Sequence, residues 1–268
     1  MSITFRISVK IIFIFLISLT LFSCASRQFQ VPQGAGLRIF DYEEVLEKAT
    51  EDCQSVNSLE LLLAINGKSG DSSIRGRVRT AILKPSFLRL EGLTPYGSPS
   101  FVLISNRSAA VLLLPRDRRA IVEATTADLL QSITGLYFDQ EDFLGVLTGC
   151  LVSQPQPKEA RRYQGNMIGI ELHNEAKLFI ESSDESSLIV AGILRSISVQ
   201  YSDYQLGLPR ALHIQTTNAE QIPTELSATL SQLNVNVDIS EEVFSTIVPD
   251  GFSLMTLDEF HGLNGSME

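Results

Sequence analysis

Apolar residues recur at every second position through much of the chain, and turn residues cut this pattern into short pieces. Between Ser73 and Leu83, Ile74, Val78 and Ile82 share one side while Arg75, Arg77 and Arg79 share the other. That is the period of a half-buried strand. The arginine side is expected to be solvated and paired with carboxylates on neighbouring strands. The same reading predicts strands at Leu59 to Ile65, Phe87 to Leu93, Phe101 to Ile104, Ala109 to Leu114 and Ala120 to Ala124. A second set follows at Met167 to Leu172, Lys177 to Ile180, Leu188 to Leu194, Ile197 to Tyr204 and Ala211 to Thr216.

Three segments keep a helical period instead. Tyr42, Val45, Leu46, Ala49 and Cys53 fall on one face behind an Asp41/Glu44 capping box. Thr125 and Asp128 cap a stripe of Leu129, Leu130 and Ile133 that stops at Gly135, and Asp139 with Asp142 opens a stripe of Phe143, Val146, Leu147 and Cys150. Leu226 to Ile239 fits neither period, and Phe244 to Phe252 closes on the turn Pro249-Asp250-Gly251. Tandem strands with sparse helices imply one large antiparallel sheet, because hairpins need only short turns while parallel strands need long crossovers. The predicted class is mainly β with a few helices.

The first residues follow a different pattern. Arg6 and Lys10 lead into an apolar run from Ile11 to Phe22, closed by Ser23-Cys24. The run is shorter than the ~20 residues a membrane-spanning helix needs, so it reads as a secretory signal. A small residue before cysteine resembles the lipobox of bacterial lipoproteins, which implies lipid attachment at Cys24 and removal of residues 1–23. Residues 24–37, with Pro32, Gly34 and Gly36, read as a tether, and 38–268 as a single domain. Ala25 is not the aspartate of inner-membrane retention, so anchoring to the periplasmic face of the outer membrane is expected.

Loss of Arg6 and Lys10 moves the net charge from -10 to -12. An acidic chain of this kind is a poor ligand for nucleic acid. Of three cysteines one is assigned to lipid; Cys53 and Cys150 either form a disulfide or are two small buried side chains, and both readings stand. His173, His213 and His261 are dispersed and lack metal-ligand spacing, and Asp184-Glu185 reads as a polar turn. No nucleophile elbow, phosphate loop or Cys-x-x-Cys pair occurs. The expectation is a protein that is not an enzyme and needs no cofactor or metal.

From Leu88-Arg89-Leu90-Glu91-Gly92-Leu93-Thr94-Pro95-Tyr96-Gly97 onward, the chain resembles the LolA/LolB superfamily, most nearly the outer-membrane lipoprotein receptor LolB. The order of elements through about residue 150 carries the resemblance: strand, tight turn, two strands, then two helices each ending near glycine. It implies an unclosed β-barrel with a helical lid over a hydrophobic cavity, lined here by Leu129, Leu130, Ile133, Phe143 and Leu147. The implied function is to bind the acyl chains of lipoproteins, handed over by a periplasmic LolA-like carrier, and to help insert them into outer-membrane lipid. Three chains carry on the order of 40 methylenes at ~0.8 kcal/mol each, so exposing them to water would cost roughly 30 kcal/mol and a shielding cavity is required. The membrane-inserting loop would be Pro95-Tyr96-Gly97, where Tyr96 stands in place of the family's leucine. Absence of Trp and extra sequence around 154–187 also depart from the pattern. The alternative reading is a lipoprotein of the same fold that binds another amphiphile or serves as an envelope assembly or scaffold component.

Overall fold

The alternating segments form strands, and they join into one sheet. A computed structural model of the chain describes residues 30–122, 124–216 and 223–265. Its elements are β1 (Leu37–Ile39), α1 (Glu43–Gln54), β2 (Ser58–Ser69), β3 (Ser72–Leu83), β4 (Phe87–Leu93), β5 (Pro99–Ser105), β6 (Ala110–Leu114) and β7 (Arg119–Ile121). Then come α2 (Thr126–Thr134), α3 (Gln140–Thr148), β8 (Pro157–Arg162), β9 (Met167–Leu172), β10 (Lys177–Ser182), β11 (Ser187–Leu194) and β12 (Ile197–Gln205). The chain finishes with β13 (Leu208–Thr216), β14 (Thr224–Val235), a 3-10 turn (Glu241–Phe244), β15 (Ser253–Leu254) and α4 (Leu257–Gly265).

The strand order is β1-β8-β9-β10-β11-β12-β13-β14-β2-β3-β4-β5-β6-β7-β15, antiparallel except where β15 joins β7 in parallel. Its outermost strands, β1 and β15, do not pair with each other, so the sheet is unclosed. Laid flat, fifteen strands at ~4.8 Å would span about 70 Å. Yet one core contains inward residues from both halves, Ala160, Ile170 and Val199 on one side and Leu61, Ile82 and Leu112 on the other, together with α2 and α3. The sheet must curl for two nine-residue helices to cover it, because each is only about 13 Å long. The helices α2 and α3 pack over β6 and β13 respectively, strands from opposite halves.

At the Phe87 end of β4 and along most of β5 and β6 both faces are buried. Leu88, Leu103 and Leu112 point inward, while Phe87, Val102, Ile104, Val111 and Leu113 form a second cluster on the outer side with Ile239 and Phe244. The C-terminal segment covers this outer cluster, with the Phe244 ring 5.4 Å from that of Phe87. It then rounds the β7 edge, so that Met255 belongs to the inner core and Leu257 and Phe260 pack against it. Covering an edge in this way shields its unpaired backbone groups from other chains. From Val31 onward the protein is one compact unit.

The outward face of β3 carries the arginines as its alternation predicts. Arg79 pairs with Glu91 at 2.8 Å, and Arg89 meets the same carboxylate at 2.7 Å. Four departures from the sequence reading matter. The expected Asp41/Glu44 box is not made: α1 starts one residue later behind Tyr42, which supplies no side-chain cap, and Glu44 pairs with Lys48 instead. The segment expected to be a tether ends in an edge strand, β1, with the Ala35 carbonyl accepting from Arg161 at 2.6 Å. The polar stretch after Pro155 contains β8, and the ambiguous segment is β14, which joins the two halves of the sheet by pairing with β13 and β2.

Candidate functional site

The roof of the curled sheet is built from helix ends whose sequences fix them. Thr125 and Asp128 cap each other reciprocally at the start of α2, and Gly135 ends it at φ 74°. Asp139 accepts from the Asp142 backbone N–H at 2.8 Å at the start of α3, and Gly149 ends that helix at φ 84°. Both glycines occupy the left-handed conformation that other residues adopt at a cost. Leu129 and Leu130 are fully buried, Phe143 and Leu147 are buried, and Ile133 is half-buried at the margin of the same core. All five residues expected to line a cavity therefore belong to, or pack against, the core shared by the helices and the sheet.

Polar ties among the described residues fasten this roof. Ser105 Oγ lies 2.7 Å from Thr126 Oγ1 and 3.4 Å from Gln140 Oε1, His261 Nε2 lies 3.2 Å from Ser132 Oγ, the Ser153 hydroxyl donates to Glu141, and Arg195 reaches across from the β11–β12 turn to Asp142 and Asp139. Burial beside Asp139 pushes the Asp142 carboxyl above its ordinary range, and the Arg195 guanidinium opposes that shift. A covalent fastener is added: Cys53 at the end of α1 and Cys150 beyond α3 are joined, with Cα atoms 5.5 Å apart. Within the core, the Tyr201 hydroxyl is buried and has no hydrogen-bond partner among the described residues. Burial raises its pKa well above the usual tyrosine value.

One pocket of about 410 Å³ opens beside the disulfide. Its apolar wall comes from Ile82, Leu144, Gly145 and the Cys53–Cys150 bond; its rim carries Lys84, Gln140 and Glu141. Residues 144, 145 and 148 form a face of α3 different from the inward stripe of Phe143, Val146 and Leu147. Every residue from Phe143 to Thr148 is buried, which hides that second face from a reading based on one stripe. The Lys84 ammonium donates to the carbonyl of Gln54 at 3.3 Å, and burial lowers its pKa, with Glu141 opposing. The pocket was not foreseen; a lysine in the Lys84-Pro85 turn gave no sign that α1 and α3 would converge on it.

Pro95-Tyr96-Gly97 forms the β4–β5 turn. The Gly97 N–H donates to the Thr94 carbonyl at 2.9 Å, and Gly97 follows at φ 87°. Tyr96 keeps a negative φ, so this is a type I turn with a glycine bulge. Tyr96 is 98% exposed. Cys24 and the signal segment lie outside the described residues. Among the described residues no helix is long and apolar enough to cross a membrane, and no cluster of three or more histidine, cysteine or acidic side chains could hold a metal ion.

No family model and no curated protein matches this chain. Solved structures do resemble it. A LolA superfamily protein from Nitrosomonas europaea aligns over 78% of this chain and 99% of its own, at 11% identity and a TM-score of 0.49. A DUF1329 family protein from Desulfovibrio piger aligns over 76% and 95%, at 8% identity and 0.46. The lipoprotein LppX of Mycobacterium tuberculosis aligns over 74% and 97%, at 12% identity and 0.31.

Proposed function

We propose that this chain is anchored through lipid on Cys24 to the periplasmic face of the outer membrane, binds the acyl chains of lipoproteins, and helps insert them into that membrane. One observation carries the reading: a continuous apolar inner face of an unclosed sheet, roofed by two short helices whose inward stripes belong to the same core. With the end of α3 held by the Cys53–Cys150 bond, movement of the roof away from the sheet would let entering acyl chains replace the apolar surface that the helices gave up. The separate turn at Tyr96, almost wholly in solvent, supplies a tip of the amphipathic kind that suits a headgroup layer.

The test is a transfer assay. A triacylated lipopeptide is presented on a carrier, with binding to the unit from Val31 onward and delivery to liposomes measured separately. Binding with delivery supports the reading; absence of lipopeptide binding removes it. A second reading, a different amphiphile in the same fold, is favoured by the open pocket, whose 410 Å³ lies near the lower end of the ~300–1,000 Å³ range of small-molecule sites and is too small for three chains.

A further inference from the structure

The pocket beside the disulfide has a division of chemistry that the delivery reading does not use. Its apolar lining comes from Ile82 on β3, Leu144 and Gly145 on α3, and the bonded pair Cys53–Cys150, beside polar Gln54, Thr148, Ser153 and Gln154. At its mouth, Lys84 projects from the β3–β4 turn, and the carbonyl of Gln54 is its hydrogen-bond acceptor among the described residues. The nearby Glu141 carboxylate is engaged instead by the Ser153 hydroxyl, and it makes no ion pair with Lys84. Among the described residues this half-buried ammonium has no ion-pair partner in contact, although the Glu141 carboxylate acts on it at longer range, and beside the apolar part of the lining it is complementary to an anion with a tail. We propose that this pocket binds a single-chain anionic amphiphile, its carboxylate or phosphate head on Lys84 and its acyl chain against Ile82, Leu144 and the disulfide.

This inference rests on the acyl-binding reading for the nature of the tail, and adds the head group and the chain number. A charge-assisted contact in a partly desolvated mouth is stronger than one in open solvent. The anion's charge also offsets the desolvation that disfavours the charged lysine.

The experiment uses the unit from Val31 onward and displacement of a fluorescent fatty acid by palmitate, by a single-chain phosphatidate, and by the neutral alcohol with the palmitate chain. Palmitate and the phosphatidate separate the two possible sources of the anion; the tighter of the two names the head. Both anions are expected to displace at lower concentration than the alcohol. Lys84→Gln should weaken anion binding about tenfold while leaving the alcohol unchanged, and Lys84→Arg should restore most of it. Equal binding of acid and alcohol, or a loss in Lys84→Gln shared by the alcohol, overturns the proposal. A triacylated lipopeptide is measured in parallel. Lipopeptide binding without fatty-acid binding sinks this inference and leaves the delivery reading standing, and the reverse result does the opposite.

Discussion

Tyr96 and Leu206 show how a single exposed side chain can be judged. Tyr96 touches almost nothing, so Tyr96→Glu is expected to leave the melting temperature within about a degree, since surface changes away from packed features cost under ~0.5 kcal/mol. If the tip engages lipid, delivery to liposomes should fall while lipopeptide binding holds. Leu206 is 93% exposed at the tip of the β12–β13 hairpin, where it and Gly207 take φ 51° and 72°. With Gln205 opposite Leu208, this is a two-residue turn of the I′ kind, which favours Asn at the first position. Leu206→Asn should therefore raise stability by about 1 kcal/mol in denaturant titration. Tyr201 is the buried counterpart. Its hydroxyl has no partner among the described residues, so Tyr201→Phe is expected to be neutral or stabilising by up to about 1 kcal/mol, and a clear loss would reveal a partner for that hydroxyl.

At the scale of elements, the covalent tie between α1 and the end of α3 should matter most. It joins positions 97 apart, for which loss of chain entropy in the unfolded state gives roughly 4–5 kcal/mol. Reduction, or Cys150→Ser, is expected to lower the melting temperature by many degrees. Much of the element list was legible in advance. The caps at Thr125 and Asp139 and the stops at Gly135 and Gly149 were readable because each depends on side chains within a few residues. What was not legible depends on distant partners. In β14, Leu226, Ala228 and Leu230 alternate inward, but a bulge between Ser231 and Asn234, with Gln232 at φ 51°, breaks the period. β8 buries only Ala160 among charged neighbours; β1 and β9 make it a strand. The start of α4 could have been found, since Thr256 and Glu259 cap each other through side-chain to backbone bonds.

For the whole molecule, the outer cluster on β4 to β6 divides the chain's apolar residues between two faces. A reading of β5 and β6 as apolar runs does not say what covers the far side. Phe244, 1% exposed, is its centrepiece, and Phe244→Ala should cost about 3–5 kcal/mol. Ending the chain before the 3-10 turn would bare Phe87, Val102 and Val111, and light scattering should then show self-association. The candidate site was legible only in part. The helical stripes pointed to the interior, whereas the Lys84 pocket arises where three separate segments meet and has no local signature.

The place of β14 has a consequence for the order in which the molecule can assemble. β2 hydrogen-bonds to β14 along almost its whole length, and the facing residues Ser69 and Thr224 are 155 positions apart. A chain that emerges from a ribosome or a translocation pore N-terminus first therefore exposes the β2 edge for most of its passage. During that interval β2 to β7 form a half-sheet with two raw margins, at β2 and at β7, which are the kind of surface on which strangers add strands. Cys150 emerges well before β14, so the bond to Cys53 can close while the keystone strand is still missing. The molecule thus has a vulnerable adolescence written into its strand order, and a chaperone that guards open edges would have its greatest effect before residue 224 appears.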